Sequence, residues 1–125
     1  MKTLQLTSRY QIHDGKLSAF KQLASKCIAL SQQNEPNILQ YDWFFNHDQS
    51  ECVLREAFTD SDALLAHITN LGDVLGDILA LGDFSAEIYG SPSEELMQAV
   101  AGLNVKVYTF YQGLATTATV AEQRV

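Results

Sequence analysis

A chain of 125 residues, 46% hydrophobic and 18% charged, has the size and composition of one folded domain, without a disordered or low-complexity stretch. Fifteen acidic residues against eight basic ones leave a formal charge of −7, a field that repels phosphate backbones and anionic headgroups and so argues against nucleic acid or membrane partners. The opening Met1-Lys2-Thr3-Leu4-Gln5-Leu6 is too polar for a leader or an anchor, and the most apolar later run, Leu71 to Leu81, is broken by Asp73 and Asp77.

Leu4, Leu6, Ser8, Tyr10 and Ile12 alternate with polar residues, which predicts a first strand stopped by Asp14-Gly15. From Leu17 the apolar positions Phe20, Leu23, Ala24, Cys27 and Ile28 fall at helical spacing. Asp14 is placed to cap that helix, which ends before Pro36. Ile38 to Asn46 and Glu51 to Phe58 form a hairpin around His47-Asp48-Gln49-Ser50, with Trp43 opposite Leu54, Asp42 opposite Arg55 and Tyr41 opposite Glu56. One face then carries Leu39, Tyr41, Trp43, Phe45, Leu54, Phe58 and a lone carboxylate, Glu56. The opposite face, with Phe44 and Val53 among polar residues, needs partial cover.

Thr59-Asp60-Ser61-Asp62 opens a second helix with the stripe Leu64, His67, Ile68, Leu71 and Leu75, broken near Gly72 and Gly76. Phe84 to Tyr89 is the fourth strand, Ser93 to Val100 a third helix, and Val105 to Tyr111 a fifth strand. The order is βαββαβ with an extra C-terminal helix and strand, an α+β ferredoxin-like arrangement over residues 1–115 followed by a tail, 116–125. A short echo, Arg9-Tyr10 before Asp14 and Arg55-Glu56 before Asp60, fits a duplicated half. An open sheet face is economically covered by a second copy, so a homodimer is expected. Cys27 and Cys52 sit in apolar runs outside any CxxC motif, which predicts buried free thiols in a reducing compartment and a cytoplasmic protein. His13 with Asp14 and His47 with Asp48 lack a third ligand, so no metal site is expected there.

The run Glu35-Pro36-Asn37-Ile38-Leu39-Gln40-Tyr41, then Arg55-Glu56-Ala57-Phe58 with Ala63 and His67 downstream, resembles the antibiotic biosynthesis monooxygenase superfamily. The resemblance implies a dimeric α/β barrel with a pocket between sheet and helices. It also implies a monooxygenase that oxidises small phenols or quinols with dioxygen and no metal, flavin or other cofactor. Its His and Glu positions fall on His67 and Glu56, the candidate catalytic pair, and its aromatic falls on Tyr41. By strand geometry Trp43 and Phe58 join Tyr41 as candidate substrate-binding residues. The Asn, Trp and His set of the haem-degrading branch has no counterpart, since Trp43 is on a strand. Each candidate also has a structural use. His67 and Glu56 can satisfy each other in a core, and aromatic stripes usually pack, so the alternative is a binding or structural barrel without chemistry. A closed interior with no cavity at His67 would mark that alternative.

Overall fold

The computed structural model describes residues 2–114, and the expected tail lies outside them. In chain order the elements are β1 (Leu4–Ile12), α1 (Leu17–Asn34), β2 (Ile38–Phe45), β3 (Glu51–Phe58), α2 (Ser61–Leu71), α3 (Asp73–Leu79), β4 (Gly82–Tyr89), α4 (Glu94–Ala99) and β5 (Val105–Tyr108). The five strands form one sheet in the order β2-β3-β1-β4-β5. β1 runs antiparallel to both β3 and β4, β2 antiparallel to β3, and β5 parallel to β4. The ferredoxin-like α+β order expected from the sequence is therefore present, with α4 and β5 as its extension.

Alternation along the strands decides what is buried. Leu4, Leu6, Ser8 and Tyr10 of β1 face the helices, as do Cys52, Leu54, Glu56 and Phe58 of β3. Two clusters result: one gathers Leu4, Leu6, Phe58, Leu64, Ile88 and Leu96, the other Tyr10, Phe20, Cys27, Leu54, Leu71 and Ile78. The opposite face exposes Arg9, Arg55, Tyr89 and Phe44, the last at 53%. No described helix is long and apolar enough to cross a membrane.

The hairpin register is the expected one, Tyr41 opposite Glu56 and Trp43 opposite Leu54. Leu39 departs from the expectation of an inward position. A bulge between Ile38 and Gln40 turns Ile38 toward the core and leaves Leu39 59% exposed, because an extra residue inverts the alternation beyond it. The second helix breaks at Gly72, whose φ of +52° suits glycine, but Gly76 lies within α3. The fifth strand stops at Tyr108 instead of Tyr111.

Helix caps separate two aspartates that look alike in sequence. Asp60 accepts a hydrogen bond from the Ala63 amide at 2.8 Å and caps α2. Asp14, expected to do the same for α1, does not. The Lys16 amide bonds the His13 carbonyl at 3.1 Å in a turn with Gly15 at φ +77°, so the N-cap position falls on Lys16, two residues beyond Asp14. Asp60→Ala should thus cost about 1 kcal/mol in urea unfolding. Asp14→Ala should stay within about 0.5 kcal/mol of the parent.

Candidate functional site

Glu35 follows the last residue of α1, and its side chain turns under α2 to meet His67. The His67 Nδ1 lies 2.9 and 3.1 Å from the two Glu35 carboxylate oxygens and 3.4 Å from Ser31 Oγ. Asn70, one turn after His67, donates to Glu35 Oε2 at 2.7 Å and to the Leu30 carbonyl at 2.9 Å, fixing the carboxylate to α1. On the other side of the ring, Nε2 is 3.9 Å from Glu56 Oε1, while Ser8 of β1 donates to Glu56 Oε2 at 2.7 Å. The side chains of Glu35, His67 and Glu56 are all about 5–6% exposed. A carboxylate accepting at Nδ1 places the proton there and leaves the Nε2 lone pair toward Glu56, the arrangement of an oriented general base.

Burial sets the charges. Removal from water pushes the Glu56 carboxyl up to about 7, against the Ser8 hydrogen bond and with help from Glu35. Burial lowers the His67 pKa despite the pull of Glu35, so the ring is neutral at pH 7. Burial likewise raises Tyr41, which stays a phenol, and pushes the Cys27 and Cys52 thiols up to about 11, too high for nucleophiles. Both cysteines are buried and free. His13, which the sequence sets beside Asp14, pairs with Asp83 at 3.1 Å.

The two shifts act on stability with opposite sign. Glu56, raised on folding, contributes stability present below its ordinary 4.5 and lost as pH rises toward about 7. His67, lowered on folding, contributes stability present above its ordinary 6.5 and lost as pH falls. Glu56→Gln removes the first slope only. Its unfolding free energy should therefore climb more steeply than the parent's between about pH 5 and about pH 7. Urea titrations at both ends of that window check this, and parallel pH profiles would contradict the assignment.

A cavity of about 130 Å³ opens beside this pair. Its wall includes His67, Glu56, Tyr41 and Trp43 and is otherwise almost wholly apolar. The Tyr41 ring stands edge-on to the imidazole at 4.9 Å and to Trp43 at 5.6 Å. Phe58, expected in the wall, is fully buried and is not among the lining residues; it backs the imidazole at 5.3 Å. The Leu71 to Leu81 stretch closes one side through Leu75 and Ile78 of α3.

Glu35, Ser8 and Asn70 had no role in the sequence reading. Two of them leave a signal. A carboxylate at a helix C-terminus opposes the helix dipole, and Ser8 is the one polar residue on the inward stripe of β1, so each needs a local partner.

The sheet and its helical layer have the ferredoxin-like α+β fold of solved antibiotic biosynthesis monooxygenases, as expected. Among solved structures, MupZ from Pseudomonas fluorescens is similar, with a TM-score of 0.79 and 22% identity over 94% of this chain and 98% of MupZ. SnoaB, a cofactor-independent oxygenase from Streptomyces nogalater, is similar at 0.63 and 16% over 74% of this chain and 96% of its own. A Caulobacter crescentus protein provisionally classed as an antibiotic biosynthesis monooxygenase gives 0.63 and 16% over 70% and 87%. No family model and no curated protein matches the sequence.

Proposed function

We propose that the protein is a cofactor-independent monooxygenase acting on a small phenol or quinol. The carrying observation is the His67 Nε2, oriented from behind by Glu35 and facing Glu56 at the edge of an apolar cavity. His67 takes a proton from the substrate, and Glu35 supports the resulting imidazolium. Tyr41 and Trp43 hold the ring, and the apolar wall excludes water from the anion. The electron-rich anion then reacts with dioxygen. One oxygen atom enters the ring and the other leaves as water, so a phenol becomes a quinone with no outside reductant. The size supports one ring, because a cavity of about 150 Å³ holds a benzene molecule.

The test is oxygen uptake by chelator-treated protein with a panel of phenols and quinols. One dioxygen consumed per quinone formed is expected, and no uptake across the panel refutes the reading. A second reading draws support from Glu56, protonated over part of the neutral range and so an acid opposite a base. It is a proton-transfer isomerase or cyclase that needs no oxygen, and turnover in anaerobic solution separates the two. The purely structural alternative loses its expected sign, since a cavity does reach His67. In this reading the protein works in the cytoplasm as a homodimer, joined across the open sheet face where Phe44 is exposed. Sedimentation as a monomer at micromolar concentration would remove the dimer.

A further inference from the structure

The cavity floor is not a random patch of core. One complete cross-strand row, Trp43 of β2, Leu54 of β3, Ser8 of β1, Ala86 of β4 and Val105 of β5, lines it from edge to edge. The neighbouring rows carry larger residues on the central strands, Leu6 beside Ile88 on one side and Tyr10 beside Phe84 on the other. Ser8 and Ala86 are the small residues between them, so the floor sinks into a trough running across the strands. From Leu54 to Val105 it crosses three interstrand gaps, about 14 Å in all. Bounded by those larger rows, the trough is a single row of small side chains wide.

The two ends differ in chemistry. At the β2 and β3 end are Tyr41, Trp43, Glu56 and His67; at the β4 and β5 end the wall is Phe84, Ile88, Val100, Leu103 and Val105, apolar throughout and aliphatic except for Phe84. Leu103 is 36% exposed, and Ala99 of α4 beside it is exposed too, which puts the mouth at the α4–β5 connection. A molecule entering there presents its head to His67 and leaves its tail over Ala86.

We infer that the trough over β1, β4 and β5 is a subsite for an unbranched aliphatic tail, and that the substrate is a single-ring phenol bearing an alkyl chain. This rests on the reading of His67 and Glu56 as the end that handles the phenol head. The α4 and β5 extension then selects for the tail, while the βαββαβ part supplies the acid and base.

The test is calorimetric binding of para-cresol, para-ethylphenol, para-propylphenol and para-butylphenol, with emission of Trp43, the chain's single tryptophan, reporting occupancy. Each added methylene should tighten binding by about fourfold, near sixtyfold over the series. Ala86→Leu, which fills the floor, should flatten the series while para-cresol still binds. Leu103→Gln at the exposed rim should weaken the longest members and covers the case in which the buried variant fails to fold. A flat series in the parent protein, or an undiminished slope in folded Ala86→Leu and Leu103→Gln, overturns the subsite. Oxygen uptake on the same four compounds keeps the two ideas apart. A steep series without uptake upholds the subsite and sinks the oxygenase, and a flat series with uptake does the reverse.

Discussion

Replacing His67 with alanine should lower turnover of an accepted phenol by roughly a hundredfold to ten-thousandfold, the usual contribution of a positioned general base. Among the described residues the imidazole links both carboxyls, with Nδ1 on Glu35 and Nε2 near Glu56. Alanine also leaves the buried Glu35 carboxylate short of a donor, so part of any loss could reflect folding. His67→Gln separates the causes, because its amide can still donate toward Glu35 but cannot act as a base. Both variants should retain the sheet by circular dichroism, and both should lose oxygen uptake. Uptake unchanged in a folded His67→Gln protein would remove His67 from the chemistry.

Phe20→Ala should cost about 3–5 kcal/mol, a third or more of the stability of an ordinary domain. Phe20 of α1 is fully buried, and its ring meets Tyr10 at 5.1 Å, Trp43 at 6.1 Å and Phe45 at 6.2 Å, all edge-on. It thereby ties the helix to strands on both sides of β3. Loss of the ring leaves three aromatic neighbours facing a void, one of them the Trp43 wall of the cavity. A lower urea midpoint with unchanged slope is the expected result, and a shift under 1 kcal/mol would show that the cluster recloses.

Much of this frame is legible in the chain because its strands alternate strictly. The pairing of Tyr41 with Glu56 and Trp43 with Leu54 follows from the polar turn at His47 to Ser50, and the inward place of His67 from the 3.6-residue stripe of α2. Leu39 escapes the alternation because a bulge has no period of its own, and Asp14 is no cap because capping depends on where the first helical turn starts, which Gly15 delays. Phe58 has the strand face of a wall residue, but strand alternation carries no information on depth along that face, and it lies behind the wall. The partner of His67 was hidden for a different reason. Glu35 lies 32 residues away in sequence and meets the ring only through the packing of α1 on α2, which no local pattern encodes. His67 and Glu56 were found from a family likeness, and their opposed protonation emerges only with burial.

The bulge at Leu39 has a bearing on that same carboxylate. Only Pro36 and Asn37 join Glu35 to the start of β2, and the Asn37 carbonyl is held by the Thr59 amide at 3.2 Å. The extra residue is slack in a short tether between α1 and the sheet. Removing Leu39 would let Ile38 continue the alternation and leave the ladder from Gln40 onward untouched. Phe58 and Ala57 are consecutive, so Ile38 and Gln40 keep their partners, and the strain of closing the bow between them passes along the short tether to Glu35. A deletion at an exposed leucine, harmless to the sheet, would then detune a histidine buried on another element.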